Sequence, residues 1–164
     1  MTFFPTNARI VPQKIADTST TQNHALGTII TARDPTTYGG GEFIYLKGVA
    51  STVVGSLVFY DDSFQTALAT TTLDHPRPIA VAMSANVASQ YGWYQISGLA
   101  VVSKANTTSF AKGATLQASS GAAAAAATGS IINGALVAVV ASAKSDVTTV
   151  KVMINRPHDP SDLS

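Results

Sequence analysis

Three histidines and nine acidic residues are the groups with which this 164-residue chain could run acid–base or metal chemistry. His24, His75 and His158 fall in segments read as loops or a tail. None stands at a ligand spacing such as HxxxH, which would bring two imidazoles to one face of a helix. His75 follows Asp74, the kind of pair that orients a catalytic base. Pro76 comes next, however, and no third partner is indicated, so a turn is the simpler use of these residues. Asp61-Asp62 lacks the DxDxDG pattern of a calcium loop and reads as a solvated turn. Tyr38-Gly39-Gly40-Gly41 lacks the Lys-Ser/Thr of a phosphate loop and opens no helix; it reads as a hairpin connection. Trp93 and Tyr94 are aromatics on which a sugar or base could stack, but with no charged partners nearby they suit packing better. There is no cysteine, hence no disulfide and no thiolate nucleophile. The expectation is a protein without catalytic residues, metal or cofactor.

A chain of this length suits one domain, able to bury about two thirds of its unfolded surface. Lys+Arg 10 against Asp+Glu 9 leave a net charge of +1, with no basic cluster for a phosphate backbone, so no nucleic-acid partner is expected. Only 12% of residues are charged, where ordinary soluble domains carry about 25%. Hydrophobic residues reach 46% and the mean hydropathy is +0.22. Yet no stretch approaches the ~18 apolar residues of a membrane helix, and residues 1–9 lack the basic-then-apolar pattern of a secretory signal. No membrane partner is expected. The surface must be covered by Thr, Ser, Asn, Gly and Ala. Such a weakly charged surface suits a protein packed into an assembly; a soluble monomer with a Thr-rich surface is the alternative.

The elements that would position any site read as strands. Residues 28–33, 42–47, 53–60, 79–84, 91–96, 99–104, 113–117, 136–141 and 147–154 are short β-branched or aromatic runs closed by Gly, Ser, Asn or Pro. In 42–47, Phe43, Tyr45 and Lys47 face one way and Ile44 and Leu46 the other. Gly98 is read as ending one strand before the next. Residues 64–78 read as a loop. The alanines of 122–127 have helix propensity but form too short a run to hold a helix unaided, so they read as a loop or one helical turn. Strands at this spacing point to an all-β fold, a single small β-barrel or jelly-roll-like sandwich. The expected core is Val81, Trp93, Ile96, Leu99, Val101, Leu136, Val150, Val152 and Ile154. The domain is placed at 28–155, preceded by an extended N-terminal arm at 1–27 and followed by a tail at 156–164.

Several of these runs are similar to one family. Leu26-Gly27-Thr28, Glu42-Phe43-Ile44-Tyr45-Leu46-Lys47 and Gly55-Ser56-Leu57-Val58 with Asp61 resemble the opening of the capsid cement, or decoration, proteins of tailed bacteriophages. Pro78-Ile79-Ala80-Val81-Ala82 and Gln90-Tyr91-Gly92-Trp93-Tyr94-Gln95-Ile96-Ser97-Gly98 resemble its central signature. Thr128-Gly129-Ser130-Ile131-Ile132-Asn133-Gly134-Ala135 and residues 150–155 are similar to its closing strands. The family commonly has Gly-Val-Ala after the proline, where this chain has Ile79-Ala80-Val81-Ala82. The resemblance implies a β-domain on the outside of an icosahedral head, made in the host cytoplasm. It would clamp neighbouring major capsid proteins and associate with copies of itself as a dimer or trimer.

Pro5 and Pro12 exclude a continuous helix from the arm, and its apolar residues share no period. Phe3, Phe4, Ile10 and Val11 are therefore expected to bind a partner's groove, with Arg9 and Lys14 meeting acidic groups there. The competing expectation is that the arm packs back on its own domain. Two other functions compete with cementing: a tail- or fibre-associated domain binding a host glycan, and a small hydrolase with a dispersed site.

Overall fold

The computed structural model describes residues 4–5, 13–71, 77–105, 108–127, 130–142 and 148–158. Among these residues there are eleven strands and no helix, so the chain is all-β. The strands are β1 (Phe4–Pro5), β2 (Ile29–Asp34), β3 (Gly39–Lys47), β4 (Leu57–Tyr60), β5 (Thr66–Leu68), β6 (Ile79–Ala82), β7 (Tyr91–Ser103), β8 (Leu116–Ser119), β9 (Ala122–Ala125), β10 (Asn133–Val137) and β11 (Thr149–His158). One antiparallel sheet runs β1-β2-β3-β7-β6-β4-β5, with β11 also on β7 and β10 outside β11; β8 and β9 form a separate hairpin.

Strand β7 organises the molecule. Tyr91 to Gly98 pair with β3, and Ser97 to Ser103 pair with β11. Gly98 does not end a strand as expected; the strand runs through it. Its φ is +103°, and a Cβ there would lie 2.5 Å from the Gly40 carbonyl oxygen, so only glycine fits. Next to it the β3–β7 register shifts between Glu42 and Phe43. A glycine beside a bulge bends a strand without breaking its pairing.

Beyond β7 the sheet curls. The far strand β5 returns to the end of β3, where Lys47 and Gln65 form one parallel bridge. Lys47 N donates to Phe64 O (3.1 Å) and Thr66 Oγ1 to Lys47 O (3.0 Å). A single bridge is not a ladder, so among the described residues the sheet does not close into a barrel, one of the two forms expected. Three apolar clusters result. Ile44, Leu46, Val58, Ala80, Tyr94 and Ile96 fill the curl. Leu57, Ile79 and Val81 turn the other way, toward Val102, Val150, Val152 and Ile154. Phe43, Tyr45 and Trp93 lie under residues 13–26. The alternation read in 42–47 is real, but both of its faces are covered.

Four local expectations are corrected. The alanine run is a strand, because Ser120 (φ 47°) and Gly121 (φ 80°) make the two-residue turn that closes a hairpin. Residues 66–68 pair with β4 rather than looping free. Residues 156–158 continue β11, with His158 opposite Asn133, rather than starting the tail. Finally, Leu136 is not core but 50% exposed, and Leu99 and Val101 are only partly buried. On these strands the inward positions belong to Ala135, Val137, Ala100 and Val102.

Candidate functional site

Residues 13–26 form a strap over the outer face of β3 and β7. Gln13 is its anchor. It accepts from the Tyr45 hydroxyl (2.7 Å) and from Asn23 Nδ2 (3.0 Å), and its Nε2 donates to the carbonyls of Asp17 and Tyr91 (both 2.9 Å). Trp93 Nε1 donates to the Gln13 carbonyl (3.2 Å). Ser19 and Tyr91 exchange backbone bonds of 3.0 and 2.8 Å. Ile15 is buried among Phe43, Tyr45 and Trp93. The His24 ring sits 5.0 Å from the centroids of both Tyr45 and Trp93, its Nε2 buried with no hydrogen-bond partner among the described residues. Burial holds the His24 pKa below its ordinary value. Burial likewise raises that of Tyr45, partly offset by the bond it accepts from Asn23 N.

From Gln13 onward, then, the arm packs on its own domain. Of the six residues expected to bind a partner, Lys14 is exposed on the strap. Phe4 lies in β1, paired with Arg33 of β2. Phe3, Arg9, Ile10 and Val11 lie outside the described residues. Trp93 and Tyr94 are fully buried and offer no face to a sugar or base. His75 also lies outside the described residues, and His158 ends β11. Asp61 makes the expected turn: its Oδ1 accepts from Ser63 N (3.0 Å) and Gln65 N (2.9 Å). Among the described residues no three His, Asp or Glu side chains stand close enough to hold a metal ion.

The surface that stands out is apolar. On β11, Val150, Val152 and Ile154 point inward, which turns Met153 outward. Leu136 of β10 is directly opposite Met153, which is in turn opposite Leu99 of β7. These three side chains make a row across three strands. Leu136 and Met153 are each about half exposed (50% and 51%). Just past β10, Val139 is about as exposed and Val140 more so, at 70%. Lys151, beside this row, lies with its Nζ 5.2 Å from the centre of the Tyr38 ring. Shallow hollows of about 360 and 380 Å³ flank the row, one walled by Leu136 and Met153, the other by Val101, Val139 and Val140. Such a face can bury apolar area against a partner. The alternation of Lys151 and Met153 with the core positions of β11 was the sequence signal for its middle strand. Leu136 carries no such signal, because its neighbours Ala135 and Val137 are apolar as well.

No family model matches this chain, and neither a curated protein nor a solved structure matches it.

Proposed function

We propose that this protein is a non-enzymatic virion component that sits on the outside of a phage head. There it binds neighbouring major capsid proteins, as a dimer or trimer of itself, and resists the outward pressure of packaged DNA. The observation that carries this reading is the exposed row Leu99–Met153–Leu136 with Val139 and Val140, on a chain with only 12% charged residues. A contiguous apolar patch marks a place where another surface docks. Each such side chain contributes about 1.5–3 kcal/mol when fully buried, against the cost of fixing two bodies together. Several joined copies on one head would multiply a modest contact by avidity. The resemblance of residues 26–155 to cement proteins supplies the partner. Lys14, together with Phe3, Phe4, Arg9, Ile10 and Val11 ahead of it, would form a second contact.

Co-sedimentation with heads purified without the protein tests the reading. Wild type should pellet with heads. The Leu136→Glu/Met153→Glu double variant should pellet at least about tenfold less, a loss of 1.4 kcal/mol or more. Wild type that stays in the supernatant refutes the function; a double variant that pellets as wild type does refutes this face as the anchor.

A further inference from the structure

We propose that the cleft lined by Tyr60, Arg77, Arg156 and His158 binds a small organic carboxylate, with its anionic head at the two guanidinium groups and its apolar part against Ile96 and Pro157. This inference uses none of the residues of the apolar face and holds whether or not the protein decorates heads.

The cleft forms where four strands converge. Tyr60 closes β4, β6 starts just after Arg77-Pro78, Arg156 to His158 end β11, and Ile96 lies in the middle of β7. Pro78 and His158 join two of these ends through a bridge, and Tyr60 N donates to the Pro78 carbonyl (3.2 Å). The cavity measures about 340 Å³, at the small end of the range for small-molecule sites. Among the described residues its lining contains two arginines, a histidine and a tyrosine, and no carboxylate.

The two arginines are held differently. Arg156 Nη2 contacts both oxygens of Glu42, at 3.1 and 3.2 Å, so that carboxylate engages one end of the guanidinium. A guanidinium carries five N–H donors in a fork. Arg77 has no carboxylate partner among the described residues; its guanidinium carbon lies 5.8 Å from the centre of the Phe59 ring. Arg156 also adopts φ 46°, a strained setting for a side-chain-bearing residue of the kind that gathers at ligand sites. Burial raises the Tyr60 pKa, and the positive charge of Arg156 pulls it partly back. The hydroxyl therefore stays protonated near neutrality, inside the field of Arg156, as a donor. Asp61, which follows Tyr60, belongs to the adjoining hollow, where two backbone N–H groups engage its Oδ1.

The walls decide what kind of anion fits. Ile29, Ile96, Pro78 and Pro157 give nothing to a bare phosphate or sulfate, but they cover a short hydrocarbon body. Arginine forks match a planar carboxylate through two parallel bonds. The source is either a free small acid or a glutamate side chain on a protein.

Titration of the full chain, followed by NMR of its backbone and arginine side-chain resonances, tests the inference with three probes. These are hexanoate, a capped Ala-Glu-Ala tripeptide and inorganic phosphate. Hexanoate or the tripeptide should give saturable shifts at Arg77, Arg156 and Tyr60 with a Kd of about 1 mM or tighter. Tighter binding of hexanoate assigns the site to a free acid; tighter binding of the tripeptide assigns it to a protein partner. Arg77→Gln lies on an exposed residue and should keep the fold while weakening binding at least about tenfold. Arg156→Lys, which keeps the charge but loses the fork, should weaken it too. Three outcomes overturn the proposal: no saturation with either carboxylate, phosphate binding as tightly as hexanoate, or undiminished binding in Arg77→Gln.

Discussion

The hydroxyl of Tyr45, near the C-terminal end of β3, donates a 2.7 Å hydrogen bond to Oε1 of Gln13, thirty-two residues earlier in the chain. That bond fastens the strap to the sheet, and Gln13 is itself buried. The same side chain also receives Asn23 and reaches Asp17 and Tyr91. Gln13→Ala would leave the Tyr45 hydroxyl and the Asn23 amide without this acceptor. Of the two, the Tyr45 hydroxyl is buried, and a buried group so orphaned costs about 1–3 kcal/mol. Urea unfolding should show a loss of at least about 1 kcal/mol; a midpoint equal to wild type would mean that water replaces the glutamine.

Trp93 lies beneath that joint, fully buried and bonded to the Gln13 carbonyl. Trp93→Ala should cost about 3–5 kcal/mol in the same assay, since the cavity left between Tyr45 and His24 cannot collapse without moving the strap. A wild-type-like melt would contradict the enclosed position of the ring.

His24 makes the strap sensitive to pH. Its pKa is lowered in the folded state from an ordinary value of 6.5, by burial. The unfolded chain therefore binds a proton more readily. The resulting contribution is complete above 6.5 and is lost as the pH falls through the lowered folded value. His24→Phe keeps an aromatic ring between Tyr45 and Trp93 but does not titrate. Going from about pH 7.5 to about pH 5, wild type should lose more stability than His24→Phe does. Parallel pH profiles would show that protonation is accommodated, for instance by the two aromatic faces.

Gly98 has a φ of +103° and no room for a Cβ against the Gly40 carbonyl. Gly98→Ala should destabilise by more than the ~1 kcal/mol that an unstrained glycine replacement changes. Because Gly98 pairs with both Gly41 and Ile154, the amides of β3 and β11 should both exchange faster with solvent. Faster exchange confined to one of them would argue against a shared bend.

Fold class was legible because β-branched runs alternate and glycines punctuate them. Val150, Val152 and Ile154 pointed inward as their spacing required. Register was legible only where polar residues mark the outer face. In Leu99-Ala100-Val101-Val102 every side chain is apolar, so period alone could not show that Ala100 and Val102 face the core. Leu136 misled for the same reason, with Ala135 and Val137 beside it. The alanine strand was hidden because a six-residue run carries no period at all, and its identity lies in the Ser120-Gly121 turn. That the arm packs on its own domain was one of two open expectations, undecided for a different reason. The strap's grip depends on one glutamine meeting a tyrosine that no local pattern connects to it.

A strand paired along both edges also determines how the molecule bears force. β11 lies antiparallel along the second half of β7, and β3 along the first. Tension applied lengthwise to β11 loads the hydrogen bonds between β11 and β7 together, in shear. β7 then hands that tension across the Gly98 bend to β3 and the strap over it. Tension applied at right angles would instead unzip β10 and β11 one pair at a time. The fold is thus mechanically anisotropic, stiff along β7 and weak across it, and any partner seated on the Leu136–Met153 row pulls on it through β11.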